Sequence, residues 1–206
     1  MDTDFQLLEA WRAGDRAAGT ELFNRHFNGL YRFFRNKVGD DADDLVQQTF
    51  LACVQTKDSF RGDSSFRTFL FSIARRRLYD HLRQRQRRAP KEAALGERSI
   101  ADIHGPSPTR LIAAQQEQAL LLRALRRLPV DMQVALELFY WEELSIPEIS
   151  TILETPTGTI KRRLQRARHR LDEIMAELAD SKALLESTLG DFDGWAKKLR
   201  ERLGQA

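Results

Sequence analysis

Apolar side chains recur at steps of three and four residues along most of this chain, and the two-residue alternation of a half-buried strand is rare, which confines it to helices. A helical chain is stable only where each apolar stripe is covered by a neighbour. With 206 residues and 42% apolar content there is material for two small cores rather than one large one. The stretch 88–110 holds Pro90, Gly96, Gly105, Pro106 and Pro108 and sustains no period, so it reads as a linker. The expected fold is all-α, with two small helical domains joined by a flexible linker. Its bounds are 1–88 for the first domain, 89–112 for the linker, 113–180 for the second domain and 181–206 for a C-terminal extension.

The first domain reads as four helices. Phe5, Leu8 and Trp11 mark a short one. Leu22, Phe23, Phe27, Leu30, Phe34 and Val38 stripe a longer one, which Gly39 ends because glycine tolerates a left-handed cap. Asp40 or Asp41 is placed to cap a third helix striped by Leu45, Val46, Phe50 and Val54. A polar turn at 59–65 follows. Asp63 or Ser64 then caps a fourth helix with Phe66, Phe69, Leu70, Ile73, Leu78 and Leu82 as core positions.

In the second domain a helix ends before Pro129, and Asp131 is placed to cap the next one, which runs through Trp141. Ser145 and Glu148 form an S-x-x-E capping box with Pro147 in the first turn, where a missing N–H costs nothing. The short helix that starts there buries Ile146, Ile149 and Ile152 and stops at Glu154, Thr155 and Pro156. The next helix carries Ile160, Leu164, Ala167, Leu171 and Ile174 on one stripe and basic residues around the rest. A short helix, a tight turn and a second helix with a basic outer face form a helix-turn-helix pattern.

The net charge is only +3, yet it is unevenly spread. Residues 75–88 hold seven arginines against one acid, Asp80, and 157–171 hold six cations and no acid. Two basic islands in a nearly neutral chain suggest two contacts with a polyanion. Long cations reach both phosphate oxygens and the acceptor edge of guanine in a groove that admits one helix. Nothing points to catalysis. The four histidines are scattered, and there is no H-E-x-x-H, no C-x-x-C and no glycine-rich phosphate loop. The single cysteine, Cys53, excludes an intrachain disulfide framework. The first residues are acidic, without the basic start and apolar run of a secretory signal, and no apolar run reaches membrane-spanning length. A soluble cytoplasmic protein is expected.

Residues 128–171, with Leu128–Pro129, Leu144–Ser145, Gly158–Thr159 and Arg166–Ala167–Arg168, closely resemble the second conserved domain of the extracytoplasmic-function (ECF) sigma factors of bacterial RNA polymerase. Independently, 40–85 resembles the first conserved domain of that family. The resemblance covers 17–176.

It implies a sigma factor that directs promoter-specific initiation, with core RNA polymerase and promoter DNA as partners, and an anti-sigma factor or other regulator as a further partner class. No catalytic residue, metal, cofactor or membrane insertion is implied. The helix over 41–54 would dock on core polymerase through Asp41, Asp43, Asp44, Leu45 and Gln48. The 59–65 turn and the helix after it would capture unpaired minus-ten bases, with Phe60, Arg61, Asp63, Ser64, Arg75, Arg76 and Arg83 as contacts. Thr159, Lys161, Arg162, Gln165, Arg166 and Arg168 would meet the minus-thirty-five duplex. Two positions depart from the family pattern. Arg76 stands where Asn is usual, which would alter minus-ten preference, and Gln48 stands where Glu is common. The alternative is a free-standing helix-turn-helix regulator that needs no polymerase.

Overall fold

The computed structural model describes residues 3–88 and 110–178, which form eight α-helices and, among the described residues, no strand. They are α1 (Asp4–Arg12), α2 (Arg16–Val38), α3 (Ala42–Thr56), α4 (Phe66–Arg88), α5 (Arg110–Arg127), α6 (Val130–Tyr140), α7 (Ile146–Leu153) and α8 (Thr157–Leu178). Most of the expected linker and all of the expected extension at 181–206 lie outside the described residues. No described helix is long and apolar enough to cross a membrane.

By their contacts the helices fall into two compact units. One holds α1 to α4 together with α7, and the other holds α5, α6 and α8. In the first unit α1 starts at a capping box between Thr3 and Gln6, and α2 starts at Asp15, whose carboxylate accepts from the amides of Ala17 and Ala18. Gly39 ends α2 at φ 65° as the sequence predicts. The expected Asp41 cap is absent. A 3-10 turn over Gly39–Asp41 feeds α3 directly, and the Asp41 side chain makes no capping bond. Nor do Asp63 or Ser64 cap α4: Ser65 does, its Oγ accepting from the Thr68 amide at 3.1 Å.

The core of this unit is Leu8, Leu22, Leu30, Phe34, Leu45, Leu70, Phe71 and Leu78, with Phe33 edge-on to Phe71 at 5.5 Å. Three residues of the expected apolar stripes are exposed instead, Phe5 on α1, Phe27 on α2 and Val54 on α3. On α3 the small residues Ala42, Thr49, Ala52 and Cys53 take the inner positions. A close approach explains one glycine in α2: a Cβ on Gly19 would sit 2.7 Å from the Trp11 ring.

The helix α7 begins at the predicted capping box, with the Ser145 amide donating to Glu148 Oε2 at 2.9 Å. Its neighbour is α4: Glu148 Oε1 accepts from Ser65 Oγ and Thr68 Oγ1, both at 3.2 Å. Desolvation pushes the Glu148 carboxyl up, but the bonds from Ser145, Ser65 and Thr68 together outweigh it and hold the group below its usual range.

In the second unit Leu120, Leu121, Ala124 and Leu125 of α5, with Val134, Ala135 and Leu138 of α6, are buried with the α8 stripe of Ile160, Leu164, Ala167, Leu171 and Ile174. Asp131 is not a cap either. It lies in the first turn of α6, after Pro129, and pairs with Arg163 at 3.5 Å.

Cys53 is fully buried on α3, and burial pushes its thiol up to about 12. The thiolate is the reactive form, so a group with this pKa is about 0.01% ionised at pH 8. A water-soluble disulfide reagent should therefore label the native chain at pH 8 at least about 100-fold more slowly than the urea-unfolded chain. Equal rates would mean that the packing around α3 opens readily.

Candidate nucleic-acid interface and docking helix

On α8 the buried stripe leaves a face on which Thr159, Lys161, Arg162, Gln165 and Arg166 are exposed. None of these three cations forms an ion pair among the described residues. The flanking basic residues differ. Arg163 is half-buried against Asp131, while His169 and Arg170 reach Glu173 at 3.3 and 2.8 Å. The bond from Arg170 holds the Glu173 carboxyl below its usual range. Arg168 also leaves the outer face. Its guanidinium lies 5.8 Å from the Phe139 ring centre and 5.4 Å from that of Tyr140, on α6. The six residues expected to meet the duplex thus separate into five outward ones and one turned to the core.

The turn that precedes α8 is tight. Glu154 adopts a left-handed conformation at φ 51° and ends α7, its amide bonded to the Ser150 and Thr151 carbonyls. A non-glycine residue pays for this geometry with local strain, and the Ser150 hydroxyl fixes the turn by donating to the Thr155 carbonyl at 2.6 Å.

In the 59–65 turn, ahead of the first basic island, Phe60 stacks on Phe69 at 4.6 Å, half-exposed, and its chain neighbours Arg61 and Asp63 are exposed and Ser64 half-buried. On α4, Arg75 and Arg76 both approach Glu154, at 3.2 and 3.6 Å, and Arg83 pairs with Asp80 at 3.3 Å. Hydrogen bonding and then charge from Arg75 hold the Glu154 carboxyl below its usual range, with Arg76 adding to both. So Arg75 and Arg76 converge on one carboxylate, while Arg83 pairs within its own helix. One residue outside the expected set touches the loop. Arg12, at the end of α1, donates to the carbonyls of Lys57 and Phe60. Nothing in the local sequence distinguishes it from any arginine in a last helical turn.

On α3, Asp41, Asp43 and Asp44 are exposed, and Gln48 donates to Asp44 Oδ2 at 2.7 Å. Leu45 is a correction: it is 2% exposed and belongs to the core, so it has no surface to offer a partner. The exposed apolar residue on this helix is Leu51, at 56%. It lies off the expected stripe of Leu45, Val46, Phe50 and Val54. Phe27 of α2 is also partly open, stacked on Tyr31 at 6.0 Å and Phe50 at 6.5 Å.

Two stretches of the chain match known family models. Residues 22–88 match the family model for sigma-70 region 2, and 118–171 match the model for sigma-70 region 4. The chain is 31% identical over 188 residues to the RNA polymerase sigma-H factor of Pseudomonas aeruginosa, covering 86% of this chain and 96% of that one. It is 32% identical over 183 residues to the ECF RNA polymerase sigma-E factor of Escherichia coli, covering 85% and 96%. Among solved structures it resembles the sigma factor RpoE in complex with the anti-sigma factor NepR from Bartonella quintana. That likeness has a TM-score of 0.61 and 26% identity, and covers 78% of this chain and 98% of the other. CnrH, in complex with the cytosolic domain of CnrY, shares the fold with a TM-score of 0.65 at 24% identity, over 86% and 100% of the two chains.

Proposed function

We infer, from the premise that this chain belongs to the ECF sigma factors of RNA polymerase, which of its surfaces carry out promoter-directed initiation. For the domains the reading keeps the expected bounds, 1–88 for docking and minus-ten capture, 89–112 as connection, 113–180 for minus-thirty-five contact and 181–206 as an addition, although α7 joins the first unit by its contacts. The observation that carries the reading is the outer face of α8, where Lys161, Arg162 and Arg166 stand exposed over a fully buried apolar stripe. That face fits a major groove. Its cations span the distance to the phosphate walls, while Thr159 and Gln165 between them can bond base edges. Arg168 contributes by fixing α8 on α6 rather than by reaching the duplex.

Docking on core polymerase falls to Asp41, Asp43, Asp44 and Gln48, joined by Leu51 in the apolar role first given to Leu45. Capture of unpaired minus-ten bases falls to Phe60, Arg61, Asp63 and Ser64, with Arg75, Arg76 and Arg83 along the backbone path. An unpaired base can stack on the open side of the Phe60–Phe69 pair, and arginines neutralise the phosphates on either side. The factor works in the cytoplasm, supplies no catalytic group, and is held between uses by an anti-sigma factor or other regulator. A solved relative bound to an anti-sigma factor supports that last partner class.

Run-off transcription with purified core RNA polymerase on a promoter library tests the whole reading. The expected result is that adding the chain selects a narrow set of templates that share two elements. If the purified chain bound duplex sites equally well without core enzyme and added no selectivity to it, a free-standing regulator would be the better description.

A further inference from the structure

The end of α1 lies outside the matched family region, at residues 22–88, yet it is bonded to the loop. Arg12 Nε donates to the Lys57 carbonyl at 3.0 Å, and one terminal nitrogen donates to both the Lys57 and Phe60 carbonyls. The other terminal nitrogen is anchored on Glu9 at 2.6 Å. The guanidinium carbon also lies 5.9 Å from the Phe60 ring centre, at the outer range of a cation–π contact. Beside it, Lys57 Nζ lies 5.5 Å from the Trp11 ring. Trp11 in turn is seated in the notch that Gly19 leaves and meets Phe23 edge-on at 5.1 Å. A side chain with only 22% of its surface exposed, spending its donors on two backbone carbonyls, is not a solvated charge. It closes the loop as a rigid fork.

The two carbonyls it holds bracket the entry to Phe60. Free, they would need water or a different loop geometry, and Phe60 would lose its fixed stack on Phe69. Recognition of a single unpaired base depends on groups held to within a fraction of an ångström, so the brace bears on discrimination more than on affinity for the backbone. We propose that Arg12 is a positioning residue for base selection: through its bonds to Lys57 and Phe60 it sets the loop that reads the unpaired minus-ten strand. The proposal rests on the reading of that loop given above, and the experiment separates the two.

Holoenzyme is reconstituted from purified core RNA polymerase and the full chain carrying Arg12→Lys, Arg12→Ala or Phe60→Ala. Its affinity is measured for a panel of labelled single-stranded oligonucleotides in which each position of the selected minus-ten sequence is replaced by every base. Lysine keeps the charge and most of the stem but cannot form the fork, so it guards against an alanine variant that fails to fold. Arg12→Lys is expected to flatten the preference at one position by about tenfold, while core affinity and melting temperature stay at the wild-type level. A role confined to stability would move the melting temperature and leave the preference profile alone. If Phe60→Ala flattens that profile and Arg12→Lys leaves it at wild type, the brace has no part in selection and the proposal is wrong. If Phe60→Ala also leaves the profile unchanged, the loop does not read the base and the underlying assignment falls with it.

Discussion

Replacing Asp43 and Asp44 together by arginine is expected to abolish co-purification with core RNA polymerase while leaving the chain folded. Both carboxylates are exposed in the first turn of α3, with the core residues of that helix on its other side. Their contribution to the fold is the favourable interaction of a negative charge with a helix N-terminus, about 0.3–1 kcal/mol each. Gln48 would also lose its Asp44 acceptor, a bond on an exposed face. The cost to stability is therefore small, and the melting curve should shift by only a few degrees. The cost to docking is of another order. If these acids meet cations on the polymerase, reversal puts like charges in contact, which costs several kcal/mol, roughly a 100-fold or greater loss of affinity. Leu45→Ala would not test docking at all. Leu45 is core, and its truncation should destabilise the first unit by about 2–5 kcal/mol. The clean measurement is a titration of core enzyme with the labelled double variant beside a thermal melt. Wild-type affinity in that variant would remove the docking assignment from α3.

The mistaken identity of Leu45 shows where sequence reasoning stops. A stripe at three- and four-residue steps says that one face of a helix is buried, and it said so correctly for α8, where the pattern is long and the opposite face is strongly charged. The capping box of Ser145 and Glu148 was equally legible, because it is local chemistry that needs no tertiary partner. On α3 apolar residues occur all round the helix, so the pattern could not tell Leu45, inside, from Leu51 and Val54, outside. The inner face is instead completed by Ala42, Thr49 and Ala52, small enough for a close neighbour and too weakly apolar to announce it. Arg168 misled for a related reason. It sits four residues after Leu164 and three before Leu171, on the edge of the buried stripe. A long side chain there can lay its stem inward and find an aromatic face. The contact of α7 with α4 and the reach of Arg12 to the loop were not legible at all, since both join residues far apart in the chain through ordinary polar groups.

Loss of the exposed cations of α8 has a second large expected effect, and its form tells which kind of contact each makes. Arg162 and Arg166 both point outward, and in a groove either could form a bidentate bond with guanine or a point contact with phosphate. If Arg166 reads a guanine, Arg166→Ala should weaken binding of the selected duplex by about 1–3 kcal/mol, roughly 5- to 150-fold, and erase the preference at one base pair only. If it neutralises a phosphate, all duplexes should weaken alike, and the slope of log affinity against log salt should become shallower by about one. Arg162→Ala is read in the same way, and the double variant should lose more than either single one, the departure from a simple sum measuring how far these i,i+4 neighbours are coupled. Arg168→Ala is the internal control: with its guanidinium on the Phe139 and Tyr140 rings, its loss should lower the melting temperature of the second unit and leave the salt slope at its wild-type value. Holoenzyme titrated with duplex minus-thirty-five fragments at several salt concentrations gives all of these quantities in one series. Unchanged affinity, preference and slope in the Arg162–Arg166 double variant would show that this face of α8 is merely solvated, and duplex contact would then have to be sought elsewhere on the chain.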